Sequence, residues 1–219
     1  MTDSVAEPIV YQGQFGEFVV TDHDRREVRI YRVGLILAAV SFAIGAGLAL
    51  WQPTNPKVLP WITICYNLFS LGLGISLWTI HIYMRPLHQA LQLFWVIGAI
   101  AAFMFGHSNP EPFARTIYFN PLTILGIGFT FAALTGVYFK EAFCFNRLET
   151  KLLTPLVPVL LLGHLTGFLS LSVERTLLAV WAVLFLVFAL RKLTQALPSD
   201  IGDKSVFEYL RQERQATQP

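Results

Sequence analysis

Six long apolar runs, separated by short polar segments, dominate the pattern of residues along the chain. They cover residues 33–50, 61–83, 87–106, 121–139, 155–171 and 177–190. The hydrocarbon core of a bilayer is about 30 Å thick and takes roughly 17 to 25 apolar residues as a helix. The pattern therefore predicts an all-α polytopic membrane protein, a six-helix transmembrane bundle. The third run is the weakest and could instead lie at the interface.

The composition of the chain agrees with a membrane location. Of 219 residues, 54% are hydrophobic and only 14% are charged, which is more apolar surface than one soluble core of this size could cover. The runs are continuously apolar rather than alternating, which favours helices over a β-barrel. The lipid bilayer is therefore the first predicted partner.

Polar tails flank the predicted bundle. Thr21 followed by Asp24 has the spacing of a capping box and predicts the start of a helix that continues into the first apolar run. Ser205 and Glu208 repeat this spacing and predict a short amphipathic helix after a linker that begins at Pro198. We expect an N-terminal tail over residues 1–20, a six-helix transmembrane domain over 21–192 and a C-terminal tail over 193–219.

Lysine and arginine are distributed unevenly between the two predicted sides of the membrane. Six crossings place both termini on one side, and the sixteen cations of the sequence divide into thirteen on that side and three on the other. Cations are retained in the cytoplasm during insertion, so both termini are predicted to be cytoplasmic. The net charge of +2 is thereby explained without a nucleic acid partner. The three are Lys57, Arg115 and Arg175, and the thirteen are Arg25, Arg26, Arg29, Arg32, Arg85, Lys140, Arg147, Lys151, Arg191, Lys192, Lys204, Arg211 and Arg214.

Small residues recur at four-residue spacing in most of the runs and mark faces where helix backbones approach closely. This pattern predicts either a tight monomeric bundle or a contact with another membrane protein. The sixth run lacks such a stripe, which is typical of a lipid-facing or outer docking helix. The predicted packing residues are Gly98 and Ala102 in the third run, Gly128, Ala132 and Gly136 in the fourth, and Gly163 and Gly167 in the fifth.

His164 is the ionisable residue that the pattern places deepest in the membrane. If the fifth helix begins at Pro155, with Thr154 as its N-cap, His164 lies about 14 Å from the cytoplasmic end. Ionisable groups at membrane depth often mark ligand sites or proton paths. A histidine that simply hydrogen-bonds a neighbouring helix is the alternative interpretation.

The other histidines are candidate ligands of haem or zinc. His81 lies only about 3 Å into its span, so an axial offset on the order of 10 Å separates it from His164 and excludes one shared haem iron. His81, His88, Glu141 and Cys144 converge on the cytoplasmic side, but their spacing matches no known zinc pattern. We expect no metal and no cofactor, although a bound pigment or lipid stays open.

A polar line follows the fourth run. Thr123, Thr130 and Glu141 lie within about 20° of one line at 100° per residue. Such a line is typical of a solute path. It also fits two threonines that bond backbone carbonyls, with Glu141 paired to Lys140 or a nearby arginine at the boundary.

The sequence contains no nucleophile elbow, phosphate loop, paired catalytic carboxylates or zinc-protease helix, so an enzyme is not expected. No helix is visibly broken near the predicted midplane and no inverted repeat is evident, which weakens a transporter. Cys65 and Cys144 are predicted near opposite faces, about 25 Å apart, and are not expected to pair.

Four stretches carry a family resemblance: "YQGQFGEF" at 11–18, "DRREVRIYRVGL" at 24–35, "KEAFCFNRLETK" at 140–151 and "LLGHLTG" at 161–167. They resemble a family of uncharacterised integral membrane proteins of cyanobacteria and plastids, over nearly the whole chain. The family brings no catalytic residues. The resemblance implies a thylakoid or plasma membrane location and other membrane proteins of a photosynthetic complex as partners.

The leading hypothesis is a non-catalytic integral membrane protein that assists the assembly or stability of a photosynthetic membrane complex. It rests on the small-residue stripes, the two structured tails and the lack of a catalytic pattern. The alternative is a small-solute or ion transporter that uses His164 and the polar line of the fourth run.

Overall fold

Within residues 9–108 and 110–216, which the computed structural model describes, the chain forms one β-hairpin followed by nine α-helices. Six helical segments are long and apolar enough to cross a membrane: α1, α2, α3, α5 with the 3-10 turn before it, α6 and α7. The predicted six-helix fold is therefore confirmed, and α3 is among the spans. The elements are β1 (Val10–Gln12), β2 (Glu17–Val19), α1 (Asp22–Trp51), α2 (Leu59–Thr79), α3 (Arg85–Ser108), α4 (Phe113–Phe119), the 3-10 turn (Pro121–Thr123), α5 (Ile124–Phe145), α6 (Leu148–Thr166), α7 (Leu171–Thr194), α8 (Leu197–Ile201) and α9 (Lys204–Ala216).

The two predicted capping boxes have different outcomes. Thr21 caps α1, because its Oγ1 accepts from the Asp24 amide at 3.2 Å while Asp24 Oδ2 accepts from the Thr21 amide at 2.8 Å. The Ser205 cap is wrong. Asp203 holds that position, and its Oδ1 accepts from the Ser205 amide at 2.9 Å. A carboxylate one residue before the helix satisfies the first free amides as well as a hydroxyl does.

The predicted start of the fifth span is also wrong. α6 begins at Leu148, and only Arg147 separates it from Asn146, which ends α5 in the left-handed conformation with φ 51°. Pro155 therefore lies inside the helix and Thr154 is not its cap; the Thr154 hydroxyl instead donates to the carbonyl of Thr150 at 2.8 Å. The apolar run began later than the helix because the first turns of α6 are polar. This shift moves His164 from the predicted midplane to the last turn of α6.

α1 and α2 pack most closely where two glycines face each other. A Cβ added to Gly34 would lie 2.7 Å from the Gly72 carbonyl oxygen, and a Cβ on Gly72 would lie 2.6 Å from that of Gly34. The Ser76 hydroxyl donates to the Tyr31 carbonyl at 3.0 Å across the same contact. In lipid, such close approach replaces the hydrophobic effect as the source of helix association.

The two tails pack against each other at one end of the bundle. Val20, Val28 and Ile201 form a small buried core beneath the hairpin. Phe15 stacks on Tyr209 at 4.1 Å between ring centroids. The tails thus form one layer. We call this end, where α1 begins and α7 ends, the tail end, and the opposite end the far end.

Candidate functional site

Five charged side chains are buried together at the tail end: Arg32, Lys140, Glu141, Lys192 and Asp200. We call them the charge cluster. They come from α1, α5, α7 and α8, so the cluster joins three membrane helices to the C-terminal tail. Burial of charge away from water is costly unless each group is paired.

Glu141 lies at one centre of the charge cluster and is completely buried. Its Oε1 accepts from the Tyr31 hydroxyl at 3.0 Å and from Lys140 Nζ at 3.0 Å. Its Oε2 lies 2.5 Å from Lys192 Nζ. The carboxylate thus contacts two cations and a phenol, which is the pairing that a buried charge requires.

Asp200 is the second centre. Its Oδ2 accepts from Arg32 Nε at 2.9 Å and from Arg32 Nη2 at 2.6 Å, and its Oδ1 pairs with Lys192. Gln195 Nε2 donates to the same Oδ1 at 3.1 Å. Lys192 therefore bridges the two carboxylates, one in the bundle and one in the tail.

An aromatic ring faces the cations of this region. The Phe145 ring centroid lies 4.2 Å from Lys192 Nζ, 5.5 Å from Lys140 Nζ and 5.7 Å from Arg147 Cζ. A ring face attracts cations at such distances. Three cations against two carboxylates leave the charge cluster with one formal positive charge, and Phe145 stabilises that excess.

A cavity of about 470 Å³ opens at the far end, between α1, α2, α4, α5, α6 and α7. Its deepest residues are Phe42, Tyr66, Phe131 and Trp181. Phe42 and Trp181 lie 4.4 Å apart between ring centroids, and Phe131 and Trp181 lie 5.3 Å apart. Aromatic rings therefore pack against one another at the inner end of the cavity.

Polar groups line the mouth of this cavity. His164 Nδ1 lies 2.8 Å from Glu174 Oε1, and both side chains keep partial exposure, 18% and 14%. The His164 ring also faces Tyr118 at 5.3 Å. Arg175 Nη2 donates to the carbonyl of Leu50 at 2.6 Å. His164 is thus partnered, although at a helix end rather than at mid-membrane depth.

Buried aromatic residues separate the cavity from the charge cluster. Trp181 Nε1 donates to the Tyr138 hydroxyl at 3.2 Å, and Tyr138 packs edge-on against Phe185 and Phe188. Tyr138, Phe185 and Phe188 are fully buried. Polar groups therefore occupy both ends of the bundle with an aromatic layer between them.

The predicted polar line is divided in the structure. Thr123 Oγ1 donates to the Asn120 carbonyl at 2.7 Å, Thr130 Oγ1 lies 3.3 Å from the Tyr66 hydroxyl, and Glu141 belongs to the charge cluster. Fully buried apolar residues of α5 lie between the second and the third. The arrangement is closer to the alternative of locally bonded threonines and a paired glutamate.

The residues considered for zinc are not brought together. His81 Nε2 lies 3.3 Å from Glu27 Oε2, while His88 Nε2 contacts a backbone carbonyl of α2 at 2.6 Å. Cys144 is exposed and Glu141 is held by lysines. Burial lowers the pKa of His81, against the opposing effect of the Glu27 carboxylate. His81 is therefore a buried side chain partnered by Glu27 rather than a free ligand.

One other group of potential metal ligands is His23, Asp24 and Glu27, whose ligand atoms lie within 4.8 Å of one another. His23 is exposed, and Asp24 is already paired to Lys204 Nζ at 2.8 Å and to the α1 cap. The contacts of Asp24 are those of a structural carboxylate.

Two of the predicted packing glycines lie in a helix contact. A Cβ on Gly98 would collide with the backbone and hydroxyl of Thr130, and a Cβ on Gly136 would collide with Leu91. Both positions join α3 to α5. Ala102, one turn beyond Gly98, is half-buried.

The other predicted packing residues have different surroundings. Gly128 lines the far-end cavity and Ala132 is exposed, so neither lies in a helix contact. Gly163 faces Leu169 in the following loop, and Gly167 has φ 65° and ends α6. A left-handed residue after the last turn explains that glycine without any partner helix. Four-residue spacing identifies a face but not what covers it.

Sequence reasoning missed Tyr31, Lys192, Asp200 and Glu174 as site residues. Lys192 was counted only as a topology cation and Asp200 was placed in a linker. Their partners are far away in sequence: 51 positions separate Glu141 and Lys192. One feature of the sequence could have indicated Asp200 and Lys192. An acid close to the end of a membrane span, near the cations of that span, is rarely left unpaired.

Comparison with known proteins identifies the family. A family described as "uncharacterized integral membrane protein", DUF2301, matches residues 75–209. An uncharacterised protein of Haemophilus influenzae is 26% identical over 185 residues, which cover 84% of this chain and 92% of the relative. No solved structure matches. Because the family model matches more than half of this chain, and because the fold contains six membrane-length helices, the chain belongs to the DUF2301 family of integral membrane proteins.

Proposed function

We propose that this protein is a non-catalytic membrane protein that assists the assembly or stability of a multi-subunit membrane complex, and that α3 contacts the partner. The observation that carries the proposal is the position of α3. Only 11% of the residues in its apolar 18-residue stretch are buried within the protein, against 28–44% for the corresponding stretches of the other five spans. Its buried residues are Leu91 and Gly98.

The exposed face of α3 has the spacing of a helix-packing seam. Leu93, Val96, Ile100 and Phe103 are all exposed and follow one another at intervals of three, four and three residues. This spacing matches the seam of a left-handed helix pair, the commonest crossing in membranes. Lipid is the competing occupant of this face.

The photosynthetic form of the proposal draws on the resemblance to proteins of cyanobacteria and plastids. The broader form is proposed because a relative also occurs in Haemophilus influenzae, outside the cyanobacteria and plastids of that resemblance. The shared fold then serves membrane complexes generally, and a photosynthetic complex is its client in a thylakoid or plasma membrane. The thirteen-to-three division of cations supports both tails in the cytoplasm.

The non-catalytic part of the proposal is supported by the contacts of the histidines. Among residues 9–108 and 110–216, His23, His81 and His164 face carboxylates, while His88 and His107 contact backbone carbonyls. None is hydrogen-bonded to a serine, threonine or cysteine that it could activate as a nucleophile. The buried carboxylates are held by cations rather than aimed into the cavity.

Purification from native membranes in mild detergent tests the proposal. We expect a membrane complex to co-purify with the wild-type chain and to be lost when Ile100 and Phe103 are changed to Ala. The matched control is the Val183→Ala, Leu190→Ala pair on the exposed face of α7, which should retain the complex. Recovery of the wild-type chain alone would contradict the proposal, and equal loss in both pairs would contradict the role of α3.

A small-solute or ion transporter is the second candidate. The far-end cavity and the charge cluster favour it, because a cavity open at one end of the bundle can admit a solute and buried charged side chains often mark ion paths. Proteoliposomes tested with a panel of ions and small solutes would then show flux that is lost in His164→Ala and Glu141→Gln. Absence of flux with correctly folded protein would remove this candidate.

A further inference from the structure

The far-end cavity reaches a similar depth along four helices. On each of these helices, lining residues extend over a segment of similar length. The segments are 42–50 on α1, 59–66 on α2, 124–131 on α5 and 174–181 on α7. Seven or eight residues at 1.5 Å rise correspond to about 10–12 Å along the bundle. The cavity is therefore a pit that enters roughly a third of a 30 Å hydrocarbon core.

The size and lining of the pit suit a small apolar group. Its volume of about 470 Å³ falls within the range of roughly 300–1,000 Å³ typical of small-molecule sites. Phe131, Ile127, Leu160, Leu178 and Trp181 supply the walls and floor. Such a surface stabilises hydrocarbon by dispersion contacts and offers few hydrogen bonds to water.

Two arginines stand at the mouth of the pit. Of the three cations that the sequence places on this side, Lys57, Arg115 and Arg175, the two arginines line the pit and Lys57 does not. Within the part of the chain that the structure describes, Arg175 donates to the carbonyl of Leu50 and forms no ion pair with a carboxylate. Guanidinium groups hold carboxylates and phosphates through paired donors.

The two acids of this region are already engaged. Glu174 is paired with His164 at 2.8 Å, and Glu111 lies 3.0 Å from Arg115 Nε across one helical turn. Both sides of the Arg115 pair are about half exposed, 54% and 51%. An exposed pair of this kind contributes little stability, so an anionic ligand can compete for the arginine.

We propose that this pit binds an anionic amphiphile, with its hydrocarbon inside and its carboxylate or phosphate head at Arg115 and Arg175. A free fatty acid and a membrane phospholipid share this chemistry. The inference does not rest on the proposed role in assembly, because the pit and the α3 face have no residue in common.

Binding of radiolabelled oleate to the purified protein in a non-ionic detergent tests the pit directly. Gly128 lines the pit, and a Cβ there would meet only Ile124 Cγ2, at 3.4 Å. Gly128→Leu should therefore fill the pit without disturbing the fold and abolish saturable binding. Ala132→Leu, the same side chain one turn away on an exposed position, is the matched control and should bind as wild type.

The charge of the head is tested separately, so that the result does not depend on the filled variant. Arg175→Gln should weaken oleate binding about tenfold, the usual effect of one charge-assisted hydrogen bond. Lys57→Gln should leave binding unchanged. Methyl oleate, which lacks the charge, should displace the label poorly, while dioleoyl phosphatidate displacing it better than oleate would identify a phospholipid as the natural source.

Two results would overturn the inference. Equal binding in the Gly128→Leu and Ala132→Leu variants would show that oleate does not occupy the pit. Methyl oleate competing as well as oleate, together with wild-type affinity in Arg175→Gln, would show that the head is not recognised as an anion. Melting temperatures of each variant, measured in the same detergent, exclude unfolding as the cause of lost binding.

Discussion

At the tail end, Glu141 and Lys192 are completely buried, and their contacts come from α1, α5, α7 and α8. At the far end, His164 and Glu174 keep part of their surface exposed beside a cavity. Both ends contain acid–base pairs, but only the tail-end pairs form a network. A network of buried charges holds its helices in one arrangement, because moving any one charged side chain would leave another without its partner. The far end has no such constraint, and a ligand or a conformational change is compatible with it.

The tail end also shows that topology cations have a second use. Arg32, Lys140 and Lys192 contribute to the excess of cations on this side and also neutralise Glu141 and Asp200. Arg191 pairs with Glu149 at 2.9 Å in the same region. The cations thereby connect the tails to the bundle, which a simple count could not indicate.

The largest loss of stability is expected when Lys192, in the charge cluster, is replaced. Lys192→Met leaves the buried Oε2 of Glu141 without its cation and should lower the free energy of unfolding by about 3–5 kcal/mol, the cost of removing one partner of a buried pair. Thermal and denaturant unfolding in detergent would measure it. The exposed Lys151, changed to Met, is the control and should alter stability by less than about 0.5 kcal/mol. Similar losses in the two variants would mean that the charge cluster is not a buried network.

The helix contact between the two ends should respond at an intermediate level. Gly98→Leu places a side chain against the Thr130 backbone and should cost at least about 1–3 kcal/mol through overpacking. Ala132→Leu, on the lipid-facing side of α5, should be near neutral. Both melting temperatures can be compared in one detergent, and an unchanged value for Gly98→Leu would contradict the close approach of α3 and α5.

The far-end pair should contribute less than any pair of the charge cluster. Glu174→Gln keeps a hydrogen-bond acceptor for His164 and removes only charge from a partly exposed pair, so we expect a loss below about 1 kcal/mol. The isosteric Glu141→Gln is the direct counterpart and should cost several-fold more. Equal losses would remove the distinction between the two ends.

The smallest effect is a pH dependence at His81, beside the tail end. Burial lowers its folded-state pKa below the ordinary histidine value of 6.5, so the unfolded chain binds the proton more tightly. Stability should be unaffected above pH 6.5 and should decrease as the pH falls below that value, by at most about 1.4 kcal/mol per pH unit. His81→Asn should reduce this dependence, and His107→Asn, an exposed histidine at the far end, should not.

The sequence by itself determined that the chain lies in a lipid bilayer, that it has six membrane-length helices, and that Thr21 caps α1. These are sums of local terms: transfer free energies over about twenty residues and a hydrogen bond between positions three apart. It also brought out His164 and Glu141 as unusual residues. The predicted start of α6 was wrong because the polar first turns and internal prolines of this helix resemble a helix boundary when only neighbouring residues are considered.

The tertiary structure alone decided what each of these residues contacts. Glu141 and Lys192 are 51 positions apart, and Arg32 and Asp200 are 168 apart, so their pairing depends on how four helices meet. The same holds for Gly128 and Gly136, which share a sequence pattern but face a cavity and a helix respectively. Helical periodicity gives the direction in which a side chain leaves its own helix. Only the packing of the other helices decides what that side chain contacts.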